Sequence, residues 1–283
     1  MILIADSGST KTDWVLTYGD GQVSHSQKTE GINPFHQSEA DIERILNVLT
    51  VADGQPLDAV FFYGSGVLPQ CRPTMARLLA KRLGLSEERV QAESDMLGAA
   101  RALCGHGEGI ACILGTGANS CLYDGERICQ NTPALGYVLG DEGSGAIIGR
   151  NLLNAMYKGK IRAEIRECFE SEFSVTMADV INRVYRQPLA NRWMASLTPF
   201  ISHHREEYPE LSQLVVDCFR DFLTSNVRPY DRQDLPVSAI GSIAWYFQTE
   251  LAHAASLECM RIGTICQTPM EGLLRYHQTE CQQ

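Results

Sequence analysis

Small and hydroxyl-bearing residues follow the first apolar segment of the chain, in the stretch Ala5-Asp-Ser-Gly-Ser-Thr-Lys-Thr12. Glycine lets the backbone approach a ligand closely, and the N–H groups of such a turn can point at phosphate oxygens. An ordinary hairpin turn favours the same residue types, so both interpretations stay open for this stretch alone. It is not a P-loop, because the pattern GxxxxGK[ST] is absent. The residues expected to bind phosphate here are Ser7, Gly8, Ser9, Thr10, Lys11 and Thr12.

A second turn of similar composition is Leu114-Gly-Thr-Gly-Ala-Asn119, in which Gly115, Thr116 and Gly117 are expected to bind phosphate. When Gly8 is aligned with Gly117, the segments around the two turns match at an offset of 109 residues. One copy on each side indicates a duplication rather than a longer repeat array. We therefore expect the two turns to form opposite walls of one cleft.

Three aspartates are candidates for metal binding, proton transfer and substrate binding. Asp6 ends the first apolar segment, where it could hold Mg2+ directly or through water. Asp95, at a junction between a strand and a helix, could act as a general base or simply cap the helix. Asp141 lies in the glycine-rich run 136–145, where it could accept hydrogen bonds from a polyhydroxylated substrate or complement a helix dipole.

Two further segments have a structural and a functional interpretation. Asn33 precedes Pro34, which is a common turn, but its amide could also contact a sugar hydroxyl. Gly241 and Ser242 join a strand to a helix, where a nucleoside could lie against the glycine.

The elements that must position these residues alternate between strand and helix, which predicts an α/β fold. Three short strands in a meander begin each half, and later strands alternate with helices. We expect one lobe over residues 1–106 and a second over 107–283, enlarged by a helical insertion at about 160–228 whose role the sequence does not reveal.

Composition limits the classes of ligand. The net charge is -10 and there is no basic run, which argues against nucleic-acid binding. No apolar run reaches the roughly 20 residues of a membrane span. The first residues lack a basic segment and are predicted to form a strand, so we expect a cytoplasmic protein without a signal peptide. The ten cysteines form no CxxC pair, and their spacing predicts reduced thiols rather than a structural zinc or iron–sulfur site.

Taken in order, these motifs resemble the actin-like ATPase superfamily of sugar kinases, Hsp70 and actin. The resemblance covers nearly the whole chain and is closest to the BadF/BadG/BcrA/BcrD ATPase family, in its N-acetylglucosamine kinase branch. The run Gly140-Asp-Glu-Gly-Ser144 is its most specific element. It implies two ribonuclease H-like lobes around a nucleotide cleft, with ATP and Mg2+ as cofactors. The chain departs from the branch at Leu135, where an aromatic residue is frequent.

The resemblance also implies roles. Asp95 matches the family's catalytic base, and Thr10 and Thr116 match phosphate-binding residues. The positions that match sugar-binding residues are Asn33, Gly136, Tyr137 and Asp141, and those that match the adenosine motif are Gly241 and Ser242. The implied reaction is ATP-dependent phosphorylation of a hydroxyl of an amino sugar, N-acetylglucosamine or a related one. The alternative is an ATPase switch or activator that acts on a protein partner. A homodimer is a common state among such kinases.

Overall fold

The computed structural model describes residues 1–8, 10–18 and 21–280. The strands among those residues are β1 (Ile2–Ser7), β2 (Lys11–Thr17), β3 (Val23–Glu30), β4 (Ala59–Gly64), β5 (Val90–Ser94), β6 (Gly109–Leu114), β7 (Ala118–Tyr123), β8 (Ile128–Gln130), β9 (Val237–Ile240) and β10 (Ile262–Cys266). The α-helices are α1 (Glu39–Asn47), α2 (Arg72–Leu83), α3 (Asp95–Cys104), α4 (Gly136–Leu139), α5 (Gly145–Tyr157), α6 (Ala163–Phe173), α7 (Met177–Tyr185), α8 (Ala190–Ala195), α9 (Thr198–His204), α10 (Pro209–Phe222), α11 (Ser242–Tyr246), α12 (Gln248–Leu257) and α13 (Met270–Glu280).

The chain forms two compact units. The first contains residues 1–108 and 123–128 together with α13, and the second contains residues 109–122 and 129–267. None of the described helices combines the length and the apolar character that crossing a membrane requires.

The sheet of the first unit has the strand order β3-β2-β1-β4-β5. Neighbouring strands in the meander β1–β2–β3 are antiparallel, whereas β4 is parallel to β1 and β5 is parallel to β4. The apolar run of β1 is buried because this strand lies in the middle of the sheet, with side chains packed on both faces.

The sheet of the second unit repeats this arrangement, with the order β8-β7-β6-β9-β10 and with β9 parallel to both β6 and β10. The repeated strand order confirms the predicted α/β fold and its duplication. The helices α6 to α10 lie between β8 and β9 in the chain, as the expected helical insertion does. Their apolar faces share one core with β6 and α5.

The C-terminal helix α13 belongs to the first unit, although the expected second lobe extended to residue 283. Leu273 and His277 are fully buried, and the hydroxyl of Tyr63 lies 2.8 Å from Nε2 of His277. Gly272 lets α13 approach α3 closely, since a Cβ at this position would lie 2.2 Å from the carbonyl oxygen of Ala102. The apolar face of α13 thus completes the core around β1 and β4.

Candidate functional site

The first glycine turn joins β1 to β2. The N–H of Gly8 donates to the carbonyl of Lys11 at 3.0 Å, and the carbonyl of Thr10 accepts from the N–H of Gly31 at 3.0 Å. Gly8 and Thr10 are exposed, so a ligand can reach this part of the turn. Ser9, which the sequence predicted to bind phosphate, lies outside the described residues.

Ser7 and Thr12, which the sequence predicts to bind phosphate, form hydrogen bonds inside the first unit. Both side chains are fully buried, and their hydroxyl oxygens lie 2.7 Å apart. Ser7 Oγ also contacts the backbone of Ile32, and Thr12 Oγ1 donates to the carbonyl of Glu30. Their polar atoms join β1 and β2 to the end of β3 and to Ile32 after it, and phosphate binding by Ser7 and Thr12 stays a prediction.

Two carboxylates face the same side of the first sheet. Asp6 on β1 is directly opposite Asp13 on β2, so their side chains share a face. Nζ of Lys11 lies 2.8 Å from Oδ2 of Asp13, so the ammonium expected to bind phosphate already has a carboxylate partner. All three residues line a cavity of about 320 Å³ in the first unit.

Burial is the largest cause that raises the pKa of Asp6, to about 7. The negative charges of Asp13 and Asp95 raise this pKa further, while the charge of Lys11 lowers it. Two facing carboxylates repel each other when both are ionised, and a bound cation relieves this repulsion. Carboxylate oxygens are also the ligands that Mg2+ prefers. The residues of this cavity therefore fit a hard divalent cation.

Asp95 is the first residue of α3, but it is not the cap of the helix. Ser94 occupies the capping position, and its hydroxyl accepts from the N–H of Leu97 at 3.2 Å. Oδ1 of Asp95 accepts from the N–H of Met96 at 2.8 Å. Burial raises the pKa of Asp95, and the backbone hydrogen bonds lower it only in part. A buried carboxylate with a raised pKa is a stronger proton acceptor, as a general base requires.

Asn33 forms a turn of its own. Its Oδ1 accepts from the N–H of Phe35 at 3.1 Å, and its N–H donates to Oε1 of Gln37 at 2.8 Å. A Cβ on Gly66 would lie 2.0 Å from this Oδ1, so the glycine makes room for the amide. Among the described residues the Nδ2 group has no hydrogen-bond acceptor, which leaves it able to donate to a ligand.

The second glycine turn, Gly115–Gly117, lies against the start of α5. The N–H of Gly115 donates to the carbonyl of Gly117 at 3.0 Å, and the carbonyl of Gly115 accepts from the N–H of Gly145 at 2.8 Å. Thr116 is exposed, and no atom lies within 4 Å of where a Cβ of Gly115 would be. Open space beside the turn and the positive end of the α5 dipole together suit an anionic group.

Asp141 contacts this second turn directly. Its Oδ1 lies 3.3 Å from the backbone nitrogen of Ala118, and a Cβ on Gly117 would lie 3.1 Å from its Oδ2. Burial raises the pKa of Asp141, the hydrogen bond from Ala118 lowers it, and the charge of Glu142 raises it. The backbone of Asp141 has a φ of 56°, in the left-handed region that aspartate and asparagine tolerate best among residues with side chains.

The short helix α4 comes just before Asp141. Gly136 has a φ of 71° with open space around it, and Tyr137 is half-buried against the core of the second unit. Leu135, Val138 and Leu139 are all more than 60% exposed, at 64%, 71% and 74%. The structure therefore presents an apolar surface beside a carboxylate.

Gly241 and Ser242 lie at the end of β9, next to the end of β6. Gly241 has a φ of 120°, and a Cβ there would lie 2.3 Å from the carbonyl oxygen of Leu114, the residue before the second turn. Ser242 lines a cavity of about 410 Å³ in the second unit. The other lining residues are Ala195, Ser196, Thr198, Pro199, Ser202, His203, Ile243, Tyr246 and Phe247.

Gly145 connects the second turn with this cavity. A Cβ on Gly145 would lie 3.3 Å from the carbonyl oxygen of Gly115 and 3.1 Å from side-chain atoms of both Ala195 and Ile243. The start of α5 is thus in direct contact with both the second glycine turn and the cavity walls, within the second unit.

Comparison with solved structures places the chain among known proteins. A candidate N-acetylglucosamine kinase from Porphyromonas gingivalis is 45% identical to it, with 99% of each chain covered and a TM-score of 0.93. The chain belongs to the N-acetylglucosamine kinase-like branch of the actin-like ATPase superfamily. This confirms the family that the motifs predicted.

More distant sugar kinases share only the fold. A candidate N-acetylglucosamine kinase from Chromobacterium violaceum is 19% identical, with 98% of each chain covered and a TM-score of 0.63. A ROK family glucokinase from Streptomyces griseus, solved with glucose and AMPPNP, is 13% identical, with 98% of each chain covered and a TM-score of 0.58. No family model and no curated protein matches the chain.

Two features of this family member were not found from its sequence. Asp13 was missed, although antiparallel pairing of the two apolar segments that flank Gly8 places residue 13 opposite Asp6. The cavity wall formed by the end of α8, Ser196 and α9 was missed as well. No local signal could have shown it, because the wall is brought to Ser242 by the packing of the helical insertion.

Proposed function

We propose that this protein transfers the γ-phosphoryl group of ATP to a hydroxyl of an amino sugar, N-acetylglucosamine or a close relative. The observation that carries the proposal is the contact of Gly145 with both the second glycine turn and the walls of the cavity beside Ser242. Because the turn and the cavity are in contact within one unit, a single nucleotide can place its phosphates at the turn and its nucleoside in the cavity. The 45% identity to a candidate N-acetylglucosamine kinase supports the choice of acceptor.

The second unit supplies the nucleotide-binding residues in this proposal. The nucleoside enters the cavity of about 410 Å³ beside Ser242, against Gly241. The backbone N–H groups of Thr116 and Gly117 bind phosphate oxygens. The α5 dipole adds a favourable field, because the N–H groups of Gly145 and Ala146 already donate to the carbonyls of Gly115 and Thr116. With a net charge of -10, the protein has to bind a polyanion through oriented backbone dipoles and a metal ion rather than through a field of cations.

The first unit supplies the metal site and the base. Asp6 and Asp13 would hold Mg2+, which supplies charge neutralisation of the phosphates when bound. Thr10 offers an exposed hydroxyl to the phosphates, and Gly8 leaves room for their approach. The ammonium of Lys11 would have to exchange Asp13 for phosphate.

The chemical step moves one proton and one phosphoryl group. The sugar hydroxyl donates its proton to the carboxylate of Asp95 as its oxygen bonds to the γ-phosphorus. The bond between this phosphorus and the β–γ bridging oxygen breaks, and ADP leaves with the electron pair. Asn33, Tyr137 and Asp141 would orient the sugar, with Gly136 allowing its close approach.

The proposal is tested by measuring ADP release with Mg2+-ATP in the presence and absence of a panel of amino sugars. N-acetylglucosamine, glucosamine and N-acetylmuramic acid belong to that panel. We expect release that depends on the sugar, with one sugar phosphate formed per ADP. Turnover that is independent of every sugar and rises with an added protein would instead support an ATPase switch.

A further inference from the structure

Three side chains with metal-binding atoms meet on the helical insertion of the second unit. Cys168 and Glu172 are one turn apart on the same face of α6, and His204 is the last residue of α9. We call this set the α6–α9 cluster. The expected roles in sugar phosphorylation involve none of its members.

Two of the three distances in the cluster lie close to those of a tetrahedral metal site. Nε2 of His204 lies 3.0 Å from Oε2 of Glu172 and 3.9 Å from Sγ of Cys168, and the three ligand atoms all lie within 4.8 Å of one another. Metal–ligand distances typical of zinc imply tetrahedral edges of roughly 3.4 Å for nitrogen to oxygen and roughly 3.6 Å for nitrogen to sulfur. Movements of about half an ångström would bring these atoms to those edges.

The donor set selects the class of metal. A thiolate, an imidazole and a carboxylate together favour zinc, whereas Mg2+ and Ca2+ prefer oxygen ligands alone. The negative charges of Glu172 and Glu207 both act on Cys168, which gives a cation a favourable electrostatic environment. The ring of His204 packs 4.5 Å from that of Phe200, so the imidazole is held by the core beneath it.

An ion can reach the cluster from solvent. The side chain of Glu172 is 42% exposed and that of His204 is 22% exposed. Three protein ligands leave one position of a tetrahedral ion open to water.

We propose that Cys168, Glu172 and His204 bind a zinc ion, with water as the fourth ligand. On binding, the thiol of Cys168 loses its proton to solvent and coordinates as the thiolate. The CxxC spacing that the sequence lacks is not needed, because two ligands come from successive turns of one helix and the third from another helix. The bound ion would tie α6 to α9, whose residues Thr198, Ser202 and His203 line the cavity beside Ser242.

The proposal is tested by titrating the full chain, after treatment with a chelator, with Co2+ and then with Zn2+. Co2+ at a site with a thiolate gives visible ligand-field bands and a near-ultraviolet sulfur-to-metal charge-transfer band. We expect both bands to saturate at one equivalent and to disappear when Zn2+ is added. The variants Cys168→Ser, Glu172→Gln and His204→Gln should each bind Zn2+ at least tenfold more weakly, since loss of even an outer-shell partner commonly costs 10–100-fold.

Matched controls are Cys259→Ser and His253→Gln, which change an exposed cysteine and an exposed histidine elsewhere in the second unit. Both should bind Zn2+ as the unchanged protein does. Glu172→Gln is the decisive variant because its exposed side chain can be altered without disturbing the core. Absence of stoichiometric Co2+ bands, or unchanged Zn2+ affinity in Glu172→Gln and Cys168→Ser, would overturn the proposal.

Discussion

Oδ1 of Asp141 lies 3.3 Å from the backbone nitrogen of Ala118 and accepts its hydrogen bond. Asp141, which the sequence predicts to bind the sugar, therefore also stabilises the second glycine turn, which is predicted to bind phosphate. The carboxylate crowds Gly117 so closely that a side chain at that position would contact it.

The two roles of Asp141 can be separated by substitution. Asp141→Asn keeps an acceptor for Ala118 and tolerates the φ of 56°, so we expect stability to change by less than about 1 kcal/mol. The KM for the sugar should rise at least tenfold, because the negative charge that strengthens hydrogen bonds from sugar hydroxyls is lost. Asp141→Ala should lose both roles, with a lower unfolding midpoint in urea as well as weaker sugar binding. Equal sugar kinetics in the unchanged and Asn proteins would contradict a contact between Asp141 and the substrate.

Removal of the proposed base should abolish transfer without abolishing nucleotide binding. We expect Asp95→Asn to reduce kcat roughly 10²–10⁴-fold, because the amide cannot accept the hydroxyl proton. Titration calorimetry with a non-hydrolysable ATP analogue should give a Kd close to that of the unchanged protein. The control is Asp53→Asn, an exposed carboxylate paired with Arg82, which should keep full activity. Full activity in Asp95→Asn would remove this residue from the mechanism.

Asp6 should make stability depend on pH when divalent ions are absent. Burial, then the charges of Asp13 and Asp95, raises its pKa from 3.8 to about 7. Between these pH values the folded chain holds more protons than the unfolded chain, so the free energy of unfolding falls as pH rises and levels off above about 7. Asp6→Asn cannot ionise and should lack this decrease, which could reach about 4 kcal/mol.

Urea unfolding at about pH 5 and about pH 8, with a chelator present, measures this difference. The variant should gain stability relative to the unchanged protein at the higher pH. Parallel pH profiles for the two proteins would show that Asp6 titrates normally.

Close packing at Gly241 should contribute to stability and nucleotide binding in addition to the effect of its backbone conformation. Gly241→Ala places a methyl group 2.3 Å from the carbonyl oxygen of Leu114, so β6 and the second turn must move. The control Gly159→Ala has a φ of 63° but no atom within 4 Å of the new methyl group. Gly159→Ala should lose about 1–2 kcal/mol from its left-handed φ. Gly241→Ala should lose about 1–3 kcal/mol from its φ of 120° and ψ of 166°, a region open essentially to glycine alone, and about 1–3 kcal/mol more from the close contact. Only Gly241→Ala should weaken nucleotide binding, as measured by calorimetry.

The cavity beside Ser242 can be filled from the helical insertion. Ser202→Trp should raise the KM for ATP at least tenfold, because the indole would occupy space proposed for the nucleoside. The KM for the sugar should change little. Ser256→Trp, which adds the same side chain to an exposed position of α12, serves as the control. An unchanged KM for ATP in Ser202→Trp would place the nucleoside elsewhere.

Local patterns carried much of the fold. Alternating turns and apolar runs were enough to predict the meander that begins each half and the later alternation of strands with helices. Ser38 caps α1, where Asp41 completes a capping box. The single helix expected after Gly241 is divided into α11 and α12, because Phe247 leaves the helical conformation while its side chain is buried. Tertiary packing, which single-sequence patterns do not contain, decides such breaks.

The site was only partly predictable for the same reason. Residue types that favour a ligand turn also favour internal hydrogen bonds, and in Ser7 and Thr12 the internal partners prevailed. The ion pair of Lys11 with Asp13 depends on strand register. The wall that α8, Ser196 and α9 contribute to the cavity beside Ser242 depends on helix packing. A cytoplasmic location and a homodimer stay predictions.

The position of α13 has a consequence for synthesis on the ribosome. The strands and helices of residues 1–108 emerge first, but Ile2, Ile4 and Tyr63 stay without part of their apolar cover until Leu273 and His277 have been made. The first unit can therefore reach its final core only after the second unit has left the exit tunnel. A fragment that ends before α13 should expose this surface and aggregate, so recombinant expression of the first unit alone requires the C-terminal helix to be joined to it.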